Sequence, residues 1–269
     1  MPTDPASVQP AIPPAIRVPV ICDLDGVVWL ADRPIPGAAD AVARLRAAGH
    51  RVLFVTNFSF GLPSEIEAKL AAHGIEAAGD VITSAQAGAS LVTAGQRVQV
   101  CGGPGVVAEV QARGAIVVDR EAPADVVIVG FHRTFDFEGL RAAATAVRKG
   151  ARLIGTNDDA TYPTPDGPIP GGGALLVAVA TAAGARPTVA GKPYEPMAAL
   201  VHAKLGRVGA NALMIGDRAD TDGLFARTLG CRFGLVHTGV TKAGERVDPA
   251  PDIETADLAA MADALLAER

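Results

Sequence analysis

The chain has 269 residues, 49% of them hydrophobic, with 24 Lys and Arg against 29 Asp and Glu, a formal net charge of -5. That length holds one large or two modest domains with sizeable cores, and the near-balanced charge leaves no basic patch of the kind that nucleic acid needs. Three scattered cysteines, Cys22, Cys101 and Cys231, with no Cys-x-x-Cys pair, indicate neither a disulfide framework nor a zinc site, so a reducing, cytoplasmic setting is the plain reading.

Residues 1–16 carry several prolines and little periodicity. They lack the basic start and apolar middle of a signal peptide and read as a loose, flexible tail. Beyond them strand and helix signals alternate, the signature of an α/β fold with a mostly parallel sheet. A first apolar strand, Val18 to Asp23, ends in two carboxylates, Asp23 and Asp25, before Gly26. Side chains two apart on an extended backbone point the same way, so both can converge on one site. A helix from Ala38 to Ala48 stops at Gly49. The next strand, Arg51 to Thr56, delivers Thr56, Asn57 and Phe58. Ser64 with Glu67 then forms a capping box, opening a helix that ends near Gly74.

The middle of the chain has its own βα rhythm, with strands at Arg97 to Cys101, Ile116 to Val118, Val126 to Gly130 and Arg152 to Thr156 and two helical segments between them. It reads as an inserted domain. Gly103-Pro104-Gly105-Val106-Val107-Ala108 is similar to a dinucleotide fingerprint, but Asp119 arrives before the usual gap of about 20 residues and Pro104 lacks an N–H for a pyrophosphate. An ordinary βα turn is the better reading. The polar loop Gly155 to Gly167 offers Asn157, Asp158 and Tyr162 to a leaving group, and Gly171, Gly172 and Gly173 suit close packing or hinge-like motion. The longest apolar stretch, Gly172 to Ala185, ends at Arg186 and is too short to cross a bilayer, so no membrane partner is expected.

Further on come Ala190-Gly191-Lys192-Pro193, a strand from Ala212 to Gly216 that leads into Asp217 and Asp222, a strand from Arg232 to Val236, and a last helix from about Asp257. His50, His73 and His202 read as surface residues beside helices, His237 follows a core strand, and His132 is the one histidine expected to contribute to a site. No histidine spacing suits a metal. In an open parallel sheet the carboxyl ends of the strands line one crevice where ligands bind, so a hydroxyl, an ammonium and further carboxylates would meet the Asp pair there. Each segment alone is routine: acidic turn residues, a helix cap, a Gly-Lys-Pro loop. Their order and their strand-end placement give them meaning.

An Asp-x-Asp, a Thr, a Lys and an acidic cluster in that order resemble the four motifs of the haloacid dehalogenase (HAD) superfamily of phosphatases. More narrowly DLDGVVW, VTNFS, GTNDDATYPTPDG, AGKPYEP and GDRADTD, spread over roughly residues 18 to 240, resemble its class IIA branch of NagD, 4-nitrophenylphosphatase and phosphoglycolate phosphatase. The resemblance implies a Rossmann-like parallel-sheet core in two pieces, 17–84 and 187–269, with an α/β cap of the C2 type inserted over 85–186. It implies a Mg2+-dependent phosphatase of small phosphomonoesters. Asp23 would be the nucleophile that forms an aspartyl-phosphate and Asp25 the general acid and base. Thr56, Asn57, Phe58 and Lys192 would sit on the phosphate, and Tyr162 on the leaving group. Asp23, Asp217 and the Asp25 backbone carbonyl would hold Mg2+, with Asp222 orienting metal waters or Lys192. Phe58 departs from the branch, which more often has a second Asn there. Haloacid dehalogenases themselves lack the second Asp, since halide leaves without a proton, so Asp25 argues for ester or anhydride cleavage. The branch also implies substrate choice in the cap and a homodimer through it. A phosphotransferase or mutase with the same nucleophile and a non-catalytic phospholigand-binding regulator are the alternatives, and the particular phosphomonoester stays open.

Overall fold

Every residue of the strands Val20–Cys22 and Val52–Thr56 is buried, as a strand covered on both faces requires. A computed structural model describes residues 18–162, 164 and 167–268, and these two strands are neighbours in its six-stranded sheet. The strand order is Ile253–Thr255, Arg232–Val236, Leu213–Gly216, Val20–Cys22, Val52–Thr56, Val81–Thr83, every pair parallel. The expected tail, 1–16, and Pro163, Pro165 and Asp166 of the polar loop lie outside the described residues.

Alternate side chains of a strand point to opposite faces, and both faces of this sheet are covered. Val20, Cys22, Phe54 and Ile215 pack on one side with Leu45 of the helix Ala38–Ala47 and Leu265 of the helix Leu258–Ala267. Ile21, Leu53, Val55 and Met214 pack on the other with Met197 and Val201 of the helix Glu195–Leu205 and Phe225 of the helix Leu224–Leu229. Burying each such side chain is worth about 1.5–3 kcal/mol, which makes the two-sided placement of the sheet strongly specified.

A second, five-stranded sheet lies in the middle of the chain, in the order Thr188–Val189, Arg152–Gly155, Val126–Val129, Arg97–Cys101, Ile116–Val118, again all parallel. As expected, two helices, Pro104–Ala112 and Phe137–Arg148, separate its strands between 97 and 155, and the helices Gly172–Ala183 and Ser84–Ser90 also pack on it. Thr188 and Val189 pair with Ile154 and Gly155, so this sheet draws a strand from beyond position 186. The apolar Gly172 stretch is a 12-residue helix, and among the described residues no helix is long and apolar enough to cross a membrane.

Several local expectations are corrected. The first strand starts at Val20 rather than Val18, because Pro19 has no N–H for the ladder. The helix Pro63–Ala72 is not opened by a Ser64 and Glu67 box: Pro63 sits in its first turn, and the Glu65 carboxylate accepts from the Leu62 N–H at 2.8 Å. Glu67 instead accepts from the Gly79 N–H. His50 is not a surface residue. It is 6% exposed, and its Nδ1 lies 3.0 Å from the Val18 amide nitrogen, tying down the chain entering the first strand. The short strands Val81–Thr83 and Ile253–Thr255 at the two sheet edges were not foreseen.

Candidate active site

The chain reverses its direction of travel across the sheet on either side of Val20–Cys22, and at such a switch point the carboxyl ends of the strands leave a crevice. Asp23 follows the first strand, its N–H donating to the Ile215 carbonyl at 2.9 Å. Thr56 closes the neighbouring strand, and Asp217 follows the strand on the other side. Asp25 stands in the turn beyond. Gly26 there adopts φ +83°, and a Cβ at that position would fall 2.5 Å from Asp217 Oδ2, so only glycine lets the turn close over that carboxylate. The Trp29 indole N–H donates to Asp25 Oδ1 at 3.1 Å and fixes the direction of its other oxygen.

Lys192 is 2% exposed, and its ammonium lies 2.7 Å from both Asp23 Oδ1 and Asp222 Oδ1. Asp222 rides a π-helical turn, Ala219–Gly223, and its second oxygen accepts from the Arg218 N–H at 3.2 Å. Asp217 Oδ2 accepts from the Val240 N–H at 2.5 Å. Oxygens of Asp23, Asp217 and Asp222 all come within 4.8 Å of one another. Three buried carboxylates thus face one ammonium, and the surplus negative charge, on hard oxygen donors alone, fits a divalent cation such as Mg2+.

Burial pushes the Asp23 carboxyl above its ordinary range, although the Lys192 charge opposes this. Asp25 is also raised by desolvation, against the Trp29 hydrogen bond. Burial, with Asp222 and Asp23 adding repulsion, pushes Asp217 up to about 8. Burial pushes Asp222 up to about 6, Lys192 opposing and Asp23 adding to the shift. For Lys192 burial works the other way, yet Asp222 and Asp23 hold it above its usual value.

Asn57 joins the two halves of the site. Its side chain donates to Asp159 Oδ2 at 3.0 Å and to the Lys192 carbonyl at 3.1 Å, and accepts from the Lys192 N–H at 2.8 Å. Asn157 in turn donates to the Asn57 carbonyl at 2.7 Å. Thr56 Oγ1 accepts from the Phe58 N–H at 3.0 Å.

Asp23, Asp25, Thr56, Asn57, Phe58, Asn157, Tyr162, Lys192, Asp217 and Asp222 all line one cavity of about 200 Å³. Two expected contributors do not join them. The Asp158 carboxylate turns outward and accepts from the Tyr194 hydroxyl, while His132 Nδ1 accepts from the Thr134 N–H in a separate depression beside Arg120. Asp159, Phe131 and Arg218 take part in the lining instead. Arg218 stood within a quoted motif, but nothing in the spacing distinguishes Asp159 from Asp158, or Phe131 from His132. The Gly-Pro-Gly segment opens a helix, and a Cβ on Gly105 would meet the Gly61 carbonyl oxygen at 2.2 Å. A Cβ on Gly173 would meet the Asp158 backbone at the same distance. Close approach of backbones explains both glycine runs.

Known proteins resemble the chain over most of its length. The haloacid dehalogenase-like hydrolase family matches residues 20–116, and a HAD-hydrolase-like family matches residues 189–261. The chain is 38% identical to a D-glycerol 3-phosphate phosphatase of Mycobacterium tuberculosis over 86% of its own length and 66% of that protein's, and so spans about two thirds of that relative. It is 35% identical to an acid sugar phosphatase of Staphylococcus saprophyticus over 84% of this chain and 88% of the other. A 4-nitrophenylphosphatase from Thermotoga maritima superposes with a TM-score of 0.85 at 30% identity, covering 93% of this chain and 97% of its own. A glycerol phosphate phosphatase from Mycobacterium tuberculosis in complex with magnesium superposes with a TM-score of 0.82 at 34% identity, covering 90% and 75%.

Proposed function

We propose, since this chain belongs to the haloacid dehalogenase-like hydrolases and is a phosphoric monoester hydrolase, that Asp23 attacks phosphorus and Asp25 moves the proton. The observation that carries the assignment is the meeting of Asp23 with Lys192, Asp217 and Asp222 in one buried cluster beside an Asp25 whose orientation Trp29 holds. The Asp23 carboxylate forms a bond to phosphorus as the ester P–O bond breaks, and Asp25 gives its proton to the departing alkoxide. Asp25, now ionised, takes a proton from water as that water attacks the aspartyl-phosphate, which releases inorganic phosphate and restores Asp23.

Positioning and charge neutralisation supply most of phosphoryl-transfer catalysis, and Lys192 with the Thr56 hydroxyl and the Asn57 N–H are assigned that part. Mg2+, held by Asp23, Asp217 and the Asp25 carbonyl with Asp222 behind, would screen the repulsion between carboxylate and phosphate. The residues around the second sheet, 85–186 together with the strand Thr188–Val189, are read as a cap that closes the site with Phe131, Asn157, Asp159 and Tyr162. The related glycerol phosphate and sugar phosphatases support small phosphorylated metabolites as the substrate class. Three buried free cysteines suit a reducing cytoplasm. Exposed Phe137 and Val177 on the cap suit a homodimer through that domain.

Incubated with Mg2+ and a panel of small phosphomonoesters, the protein should release inorganic phosphate with no added acceptor. Failure with every member of the panel would remove the reading, and sedimentation of the same preparation reports the dimer. A second expectation concerns pH. In Mg2+-free buffer the folded chain keeps a proton on Asp217 up to about 8, whereas the unfolded chain loses it near 3.8. The folded state binds more protons in that window, so stability should fall as pH rises from about 5 to about 8. Metal binding needs ionised ligands and strengthens with pH, so saturating Mg2+ should flatten or reverse the slope. A metal-free unfolding midpoint that rises across the same interval would contradict it.

A further inference from the structure

Three Phe and one Tyr, out of eight Phe and two Tyr in the whole chain, gather at the mouth of the candidate active site. Phe58 follows the strand Val52–Thr56, Phe131 follows the strand Val126–Val129, and Tyr162 lies on the short antiparallel ribbon Thr161–Tyr162 with Ile169–Pro170. Their ring centroids stand 5.7 Å (Phe58 to Tyr162), 5.2 Å (Phe131 to Tyr162) and 6.4 Å (Phe58 to Phe131) apart, all mutually tilted. Phe60 backs them edge-on at 6.1 Å from Phe131. The buried Ser59 hydroxyl accepts from the Phe131 N–H at 3.2 Å and pins that ring's backbone to the loop carrying Phe58. All three front rings line the cavity that holds Asp23 and Asp25, and Leu30 and Val240 extend the apolar wall.

Two amides and a guanidinium on the same side are already engaged. Asn157 donates to Asn57 and accepts from the Asp159 N–H, both functions of the Asn57 amide are satisfied, and the Arg218 guanidinium is held by both oxygens of Asp220. A leaving group rich in hydroxyls would give up water here for fewer partners than water supplies, at a cost. A ring would bury apolar area against tilted aromatic faces, the arrangement that aromatic pairs favour.

We propose that Phe58, Phe131 and Tyr162 form an aromatic slot for a planar ring on the leaving group, which makes phosphomonoesters of alcohols bearing a planar aromatic ring the preferred substrates over those of saturated-ring or open-chain polyol alcohols. The proposal rests on the phosphatase reading and adds the leaving-group class to it. Phe58, Phe131 and Tyr162 act in it as specificity-determining residues and take no part in the bond changes.

The test compares benzyl phosphate, cyclohexylmethyl phosphate and glycerol 3-phosphate, all esters of primary alcohols, so that differences in rate report the slot rather than leaving-group basicity. Benzyl phosphate should show a kcat/KM about tenfold or more above glycerol 3-phosphate and about threefold or more above cyclohexylmethyl phosphate, the size of an aromatic-pair contribution. In Phe58→Asn and, separately, Phe131→Leu, the ratio of benzyl to glycerol phosphate should fall about fivefold or more. Because both substrates see the same preparation, the ratio does not depend on the fraction folded. Equal turnover of benzyl and glycerol phosphates by the unaltered protein overturns the slot while leaving the phosphatase reading intact. Equal turnover of benzyl and cyclohexylmethyl phosphates overturns its aromatic character, and an unmoved ratio in both variants overturns the assignment to these rings. No phosphate release from any of the three defeats the underlying reading instead.

Discussion

Asp23→Asn protein is expected to hydrolyse 4-nitrophenyl phosphate in Mg2+ at least about 1,000-fold more slowly than the unaltered chain, a loss of about 4 kcal/mol of transition-state stabilisation. The amide cannot form the acyl-phosphate bond on which the two-step route depends. Its thermal unfolding midpoint should nevertheless stay in place or rise. Asp23 is one of three carboxylates crowded within 4.8 Å around a single ammonium, and burial already opposes its ionisation, so a neutral isostere relieves repulsion while Lys192 keeps Asp222 at 2.7 Å. Rate and melting measured on one preparation separate the two effects. A variant that retains activity within a few-fold would eliminate the covalent mechanism, whatever its stability.

Lys192→Ala should be the most destabilising single change in the site. The ammonium is 2% exposed, and removing one partner of a buried ion pair costs about 3–5 kcal/mol because the remaining charges are left uncompensated. Here the remainder is Asp23, Asp217 and Asp222 together. The carboxylates can relieve the repulsion by taking protons, and Asp217 already does so up to about 8, so the loss should be larger near pH 8 than near pH 5. Mg2+ should recover part of the stability, as a cation supplied to the same oxygens, yet not the activity, since the charge on the transferring group is still missing. Urea unfolding at the two pH values, with chelator and with Mg2+, provides the test. Equal unfolding midpoints for variant and parent at pH 8 in chelator would show that the ammonium does not hold the cluster.

Much of the site was legible before any tertiary structure because of how a parallel sheet converts sequence into space. Asp23, Thr56 and Asp217 each end an apolar run, and runs buried on both faces align side by side with their carboxyl ends at one edge. The α/β class and the parallel sheets followed from the same alternation of strand and helix. Where the reading failed, the deciding contact was a competing local residue in one case and a remote partner in another. The Ser64 and Glu67 pattern fits a capping box, but Pro63, with its fixed φ, sets the helix start so that Glu65 reaches the free N–H. His50 looks like a helix-end surface residue, yet its partner is the Val18 amide 32 residues earlier.

The amino-acid order alone settled which residue types stand at which strand ends, since hydrophobic periodicity and turn chemistry are local properties read within a dozen residues. Only the folded chain decided which member of an adjacent pair enters the cavity: Asp159 and not Asp158, Phe131 and not His132. Neighbouring side chains in an irregular loop diverge according to the loop's path, and that path is set by distant anchors such as Asn57 to Asp159 and Ser59 to Phe131, which no local pattern encodes.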